Sequence, residues 1–143
     1  MPSKRTLIAK VKARVVGRSV SGEALVSTVP ISFLGDVDKE TGVIISPENP
    51  LKGVSIANRI LVVERTRGST VGIYVLYALA KRGRAPKAIV ASKPDPVVIA
   101  GSVLCDVTYV YGVPRNVIEK IRCGDLVDVD AERGEVMFWR VER

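Results

Sequence analysis

The sequence contains no histidine. That absence removes serine–histidine–aspartate triads, cysteine–histidine dyads and most zinc sites. Cysteine is scarce too: Cys105 and Cys123 are the two in 143 residues, and an iron–sulfur cluster takes about four thiolates. A disulfide between them would need Cα atoms within about 7 Å; free thiols are the expectation for a cytoplasmic protein. Glutamine is absent and asparagine is confined to Asn49, Asn58 and Asn116. Low amide content beside abundant Arg, Lys and Glu is a composition common among thermophiles. Aromatic residues make up 5% of the chain, and they form no stacking signature of the kind that reads single-stranded RNA. No apolar run is long enough to span a bilayer. At the start, Lys4, Arg5, Lys10 and Lys12 interrupt the apolar residues too soon for a signal-peptide core, which predicts a cytoplasmic protein with no membrane attachment.

What is present is a core-forming sequence. It is 47% hydrophobic, its mean hydropathy is +0.21, and its length suits one domain over residues 1–143. Eight prolines and twelve glycines punctuate short apolar runs, the pattern of a strand-rich fold. Lys and Arg outnumber Asp and Glu by 22 to 15, a net charge of +7. Such a balance favours an acidic partner, whether nucleic acid, protein or anionic substrate, although a merely basic surface fits it as well.

Residues 6–17 alternate between apolar and basic, as a half-exposed strand does. A second strand is expected over 23–28, and residues 32–50 read as a long ordered loop. Within that loop Asp36, Asp38, Glu40 and Gly42 have a superficial likeness to a calcium loop. The closing bidentate glutamate is missing, so they are read as solvated turn carboxylates. Residues 59–64 form a β-branched run suited to a strand buried on both faces. Val71 to Ala80 is apolar nearly all round and ends in Lys81-Arg82-Gly83, which predicts a buried helix with Gly83 at C′. Strands are expected at 88–91 and 107–111, a turn at Pro94-Asp95-Pro96, a short helix over 97–103 and a helical turn over 116–121. Residues 126–141 read as a closing hairpin. Strands alternating with helices predict parallel βαβ pairing in the middle, with antiparallel hairpins at both ends.

Gly68-Ser69-Thr70 stands where the buried strand feeds the buried helix. Unpaired backbone N–H groups and the helix dipole make such a junction an anion pocket. Ser69 or Thr70 can act there as an ordinary helix cap. Alternatively, the same N–H groups can stabilise a serine alkoxide in a dry site. No His, Lys or carboxylate adjoins Ser69 in the sequence, so the field of the helix start is the means of activation left to it.

Several segments together resemble one family: Gly22 to Val26, Ile31-Ser32-Phe33-Leu34-Gly35-Asp36-Val37-Asp38, Thr41-Gly42, Pro50-Leu51, Arg67-Gly68-Ser69-Thr70 with Gly72, and Pro94-Asp95-Pro96. They look like the small subunits of the archaeal aconitase X group. The resemblance implies an α/β fold, the aconitase-like swivelling β/β/α domain, with a barrel-like mixed sheet and short helices. It implies a large aconitase X-type partner subunit that binds the iron–sulfur cluster, with none bound by this chain, and an anionic small-molecule substrate. The reaction implied is loss of water from (R)-5-phosphomevalonate to give trans-anhydromevalonate 5-phosphate, in a hydro-lyase active only as the complex. Cluster iron would act as Lewis acid on the leaving hydroxyl while a base on the opposite wall takes the carbon-bound proton.

By the same resemblance Ser69 is the catalytic base, and Gly68, Thr70 and Arg67 bind substrate. The position after the base is commonly serine in aconitases; Thr70 keeps the hydroxyl. The arginine that follows in other aconitases is replaced by Val71, and Arg67 stands nearby as a substitute. Two other functions remain open on sequence. One is a different aconitase X dehydration, such as that of a hydroxyproline. The other is a basic module that binds RNA or another polyanion, which the missing aromatic signature disfavours.

Overall fold

Ile60–Val63 and Ala88–Ala91 are buried at every position, so each strand must be covered on both faces. The computed structural model, which describes residues 4–67 and 70–142, shows how. The elements in chain order are β1 (Arg5–Lys12), β2 (Arg14–Val16), β3 (Val20–Ser27), α1 (Phe33–Asp36), β4 (Ile60–Val63), α2 (Thr70–Lys81), β5 (Ala88–Ala91), α3 (Pro96–Leu104), β6 (Thr108–Tyr111), α4 (Arg115–Ile118), β7 (Leu126–Asp130) and β8 (Glu135–Val141). All eight strands join one sheet in the order β1-β8-β7-β3-β4-β5-β6-β2.

The sheet has two regimes, and β3 belongs to both. Its first half, Val20–Glu23, runs antiparallel to β7; its second half, Ala24–Ser27, runs parallel to β4. From there β4, β5 and β6 continue in parallel, joined by the helical crossovers that parallel pairing requires. Side chains alternate across these strands. Leu61, Val63, Ile89 and Ala91 pack under α2, α3 and the 31–56 segment. Ile60, Val62, Ala88 and Val90 pack instead against Val127, Val136, Phe138 and Ile118. Two cores thus share one sheet between them.

The expected single strand over 6–17 is in fact two. β1 pairs with β8 and β2 with β6, both antiparallel, so neighbours in sequence lie at opposite ends of the strand order. The chain breaks at Ala13, whose amide donates to the Gly134 carbonyl at 3.0 Å. Because β1 and β2 are nearly continuous, the sheet curls until its two edges meet there, which gives the barrel-like form. The hairpin expected at the N-terminus does not form. Period-2 alternation reports which face is buried and carries no information about the partner. The C-terminal hairpin forms as expected, from Leu126↔Trp139 to Asp130↔Glu135.

Helix α2 ends as its sequence requires. Gly83 has φ +68°; its amide donates to Ala80 O at 3.1 Å and that of Arg84 to Leu79 O at 2.9 Å, a Schellman motif. Helix α3 begins at Pro96 with Asp95 as its cap. Gly101 lets α3 approach α2 closely, since a Cβ there would lie 2.8 Å from Ile73 Cγ1. The 32–50 segment carries little regular structure, yet Phe33, Val37 and Ile44 are core residues. Its carboxylates close local turns. Asp36 accepts from the Ser32 amide at 2.8 Å, and Asp38 accepts from the amides of Glu40 and Thr41 at 2.7 and 3.2 Å. Among the described residues no helix is long and apolar enough to cross a membrane.

Candidate active site

Parallel strands collect their following loops at one edge, and ligands of open α/β sheets bind there. In this chain the C-terminal ends of β3, β4, β5 and β6 deliver Ser27, Glu64 to Arg67, Ser92 to Asp95, and Gly112 to Arg115 to that edge. Hydrogen bonds stitch the row together beyond the strands proper. The amides of Ser92 and Lys93 donate to Glu64 O at 3.0 and 3.1 Å, and that of Gly112 donates to Ser92 O at 3.0 Å. Ile31 bridges Thr66 in parallel and accepts from the Arg67 amide at 2.8 Å.

The edge is electropositive. Arg65, Arg67, Lys93 and Arg115 are all exposed on it. Arg115 lies 3.8 Å from Glu64 and 3.3 Å from Glu119; among the described residues Arg65, Arg67 and Lys93 have no carboxylate within ion-pair distance. A cavity of about 230 Å³ sits between Val26, Ser27, Glu64 and Arg115. One of about 420 Å³ lies on the other flank, between Leu34, Asp38, Glu40, Ile45 and Val75. A further cavity of about 420 Å³ belongs to the opposite edge, where Arg18, Asn58, Lys87, Cys105 and Asp106 line it. That one is remote from the junction of β4 and α2.

Of the residues singled out by sequence, Arg67 stands at the root of this loop with its side chain in solvent, and Thr70 opens α2, also exposed. Gly68 and Ser69 lie outside the described residues. Beneath the loop is a polar group that the sequence reading passed over. Thr66, 6% exposed, donates its hydroxyl to Asp95 Oδ2 at 2.7 Å. Asp95 Oδ1 accepts from the Val98 amide at 3.3 Å. Tyr109, fully buried, donates to Lys93 O at 3.3 Å. Burial pushes the Tyr109 phenol up to about 12, with the Thr66 hydroxyl opposing and the Asp95 charge reinforcing. Tyr109 therefore stays protonated at neutral pH and cannot serve as a base. The available signal for Asp95 was its place before Pro96, since Asp followed by Pro at the first helical position marks a helix start.

The described residues of this chain do not fit an iron–sulfur cluster. Among the described residues no three His, Cys, Asp or Glu side chains converge, and both cysteines are free. Cys123 accepts from the Val26 amide at 3.3 Å near the C-terminal end of β3. Cys105 lines the cavity at the opposite edge, where burial raises its thiol above the ordinary range. An apolar face flanks the candidate site: Leu34, Ile45, Val71, Tyr74 and Tyr77 are exposed by 46–73%.

A mixed, curled sheet with its loops gathered at the parallel edge defines a swivel-type α/β domain. The chain belongs to the aconitase X swivel domain family, whose model matches residues 10–138. It is 46% identical over 128 residues to the phosphomevalonate dehydratase small subunit of Pyrococcus abyssi, covering 89% of this chain and 96% of that one. The protein of the same name from Methanothrix thermoacetophila is 44% identical over 125 residues, with 87% and 90% covered. Among solved structures, Thermococcus kodakaraensis aconitase X in its holo form superposes with a TM-score of 0.84 at 45% identity, covering 91% of this chain and 98% of that one.

Proposed function

We propose that this chain is the small subunit of a phosphomevalonate dehydratase, a cytoplasmic hydro-lyase that converts (R)-5-phosphomevalonate to trans-anhydromevalonate 5-phosphate. The observation that carries this reading is the kinship along 89% of the chain with small subunits of that name. The site supports it independently: a cationic edge suits a substrate with a carboxylate and a phosphate. In this reading the cluster implied by the family belongs to a large partner subunit, and the lack of a ligand set among this chain's described residues agrees with that assignment. The apolar face around Leu34, Val71 and Tyr74 suits burial against that subunit.

In this reading Ser69 Oγ takes the proton from the carbon next to the substrate carboxylate. The electron pair of that C–H bond forms the double bond. The hydroxyl leaves the neighbouring tertiary carbon as hydroxide and takes a proton from solvent to become water, and Ser69 returns its own proton to solvent afterwards. Ser69 must act as an alkoxide, and the positive end of the α2 dipole is the source of stabilisation assigned to it. The carboxylates near the root of the loop are otherwise engaged, Asp95 with Thr66 and Val98, and Glu64 with Arg115. Arg67 is assigned to an anionic end of the substrate, and Gly68 and Thr70 are assigned to substrate binding with it.

The test is to co-express this chain with a large aconitase X-type subunit from the same organism and to assay the purified complex with phosphomevalonate. A brown complex that releases trans-anhydromevalonate 5-phosphate is the expected result, together with slowed hydrogen exchange in residues 32–38 and 67–72 relative to the chain alone. A stable complex that dehydrates a hydroxyproline and leaves phosphomevalonate untouched would overturn the substrate assignment.

A further inference from the structure

We infer that Thr66 and Asp95 are positioning residues, a buried clamp that sets the aim of the loop between β4 and α2; its catalytic consequence rests on the function proposed above. The clamp begins with a division of labour within one carboxylate. Capping α3 requires a single acceptor, and Asp95 Oδ1 supplies it to the Val98 amide. The second oxygen, Oδ2, reaches across to the segment that follows β4 and accepts the Thr66 hydroxyl at 2.7 Å, the short distance of a charge-assisted bond. Thr66 is 6% exposed, so solvent offers that hydroxyl little alternative.

The two ends of the loop are both referred to α3. On the entering side, Asp95 holds Thr66, and Ile31 holds the backbone of Thr66 and Arg67 from the other direction. On the leaving side, α2 rests on α3 through the contact of Ile73 with Gly101, which leaves no room even for a methyl group. Helix α3 thus serves as a common frame for Thr66 in the first part of the loop and for the helix after it. Rigid reference points of this kind matter because a base misplaced by about 1 Å can lose about 10²-fold in rate.

Thr66→Val keeps the shape of the side chain and deletes the bond; Thr66→Ser keeps the bond. Asp95→Asn keeps an acceptor for Val98 and presents an amide N–H to Thr66 in place of the carboxylate oxygen, so the charge-assisted bond is lost. In the complex with the large subunit, Thr66→Val and Asp95→Asn are each expected to lower kcat by about 10²-fold with KM nearly unchanged. Thr66→Ser is expected to restore most of the rate. Together the two damaging changes should cost hardly more than either alone, because they break the same bond. In the isolated chain, hydrogen exchange of the Arg67 amide should accelerate in Thr66→Val and return to normal in Thr66→Ser. Exchange at Arg67 unaltered by Thr66→Val would overturn the clamp whatever the activity of the complex. Equal damage from Ser and Val at position 66 would overturn it too, since packing rather than the hydroxyl would then be responsible. A wild-type complex inactive on phosphomevalonate would sink the function instead, and the exchange measurement would still decide the clamp.

Discussion

In the parallel half of the sheet, β4, β5, β6 and the second half of β3 all end at the same edge. In the antiparallel half, β1, β7, β8 and the first half of β3 alternate in direction, so each edge receives only some of the loops. β7 and β8 are joined by a tight turn in which Asp130 accepts from the Arg133 amide at 3.1 Å. The polar side chains of this half pair with one another: Trp139 Nε1 donates to Asp128 at 3.1 Å, and Arg140 makes a two-pronged contact with Asp125 at 2.8 and 3.0 Å. At the parallel edge Arg65, Arg67 and Lys93 stay in solvent. Polar groups matched within the chain build a scaffold, and those left unmatched are available to a ligand.

Ser69→Ala should separate the halves most sharply. As the proton acceptor it should lower kcat of the assembled complex by about 10²–10⁴-fold. As a helix cap alone it would cost about 0.5–2 kcal/mol of stability and leave turnover intact. The deciding measurement is kcat of a complex whose iron content matches the wild type. Near-normal turnover would make the parallel edge a scaffold like the rest of the sheet.

The converse experiment is in the antiparallel half. Asp125 is 4% exposed and accepts from Arg140 twice and from the Arg122 amide at 2.7 Å. Asp125→Ala should therefore destabilise the chain by about 2–3 kcal/mol, the remaining guanidinium being able to turn toward water. Denaturant titration measures that loss, and the complex, once assembled, should keep its kcat. A large fall in kcat without a stability change would erase the division between scaffold and site.

The unequal legibility of the two halves has a physical origin. Ile60–Val63 and Ala88–Ala91 could be read as buried strands because parallel strands covered on both faces become unbroken apolar runs. The helix over 71–80 was readable from its apolar face and its Gly83 stop, and α2 spans Thr70–Lys81. Residues 6–17 misled because alternation is the same whichever strand lies alongside, and the change of partner at Ala13 leaves no local mark. Residues 32–50 were rightly read as loop, but their share of the core, through Phe33, Val37 and Ile44, depends on contacts far along the chain. The site was divided likewise. Residues at positions 67 and 70 drew notice through a family motif. The Thr66–Asp95 bond spans 29 positions, and no local pattern encodes it.

A smaller effect is expected from Arg67→Ala. If the exposed guanidinium contacts an anionic end of the substrate, its removal should raise KM by about tenfold, the scale of one charge-assisted hydrogen bond. Stability should be unchanged, since the side chain is in solvent. Initial-rate measurements over a range of phosphomevalonate concentrations would show it. An unchanged KM would move the anion contact to Arg65 or Lys93.

The smallest effects concern acid, and they set one carboxylate from each region side by side. Glu135, in the antiparallel half, is held below its ordinary range by its hydrogen bond from Lys12, opposed by desolvation and assisted by the charge of Lys10; the Lys12 contact is 2.9 Å. Asp38, beside the apolar face that flanks the site, is lowered by hydrogen bonds from the backbone amides of Glu40 and Thr41. A depressed folded-state pKa means that the native chain holds on to the ionised form. Each contribution is therefore fully present above the ordinary carboxylate range and is lost as pH falls through the lower folded-state value. Melting temperatures of Glu135→Gln and Asp38→Ala should both lie slightly below wild type at pH 7 and converge on it as pH falls below each group's lowered folded-state value. Salt should then tell them apart. The Glu135 pair is a surface ion pair, so its difference should shrink as ionic strength rises. The Asp38 bonds run to fixed amides within one turn, so their difference should persist. Equal salt sensitivity in the two variants would mean that the loop beside the site is held by the same long-range charge balance as the scaffold, and not by the local hydrogen bonds of its own turn.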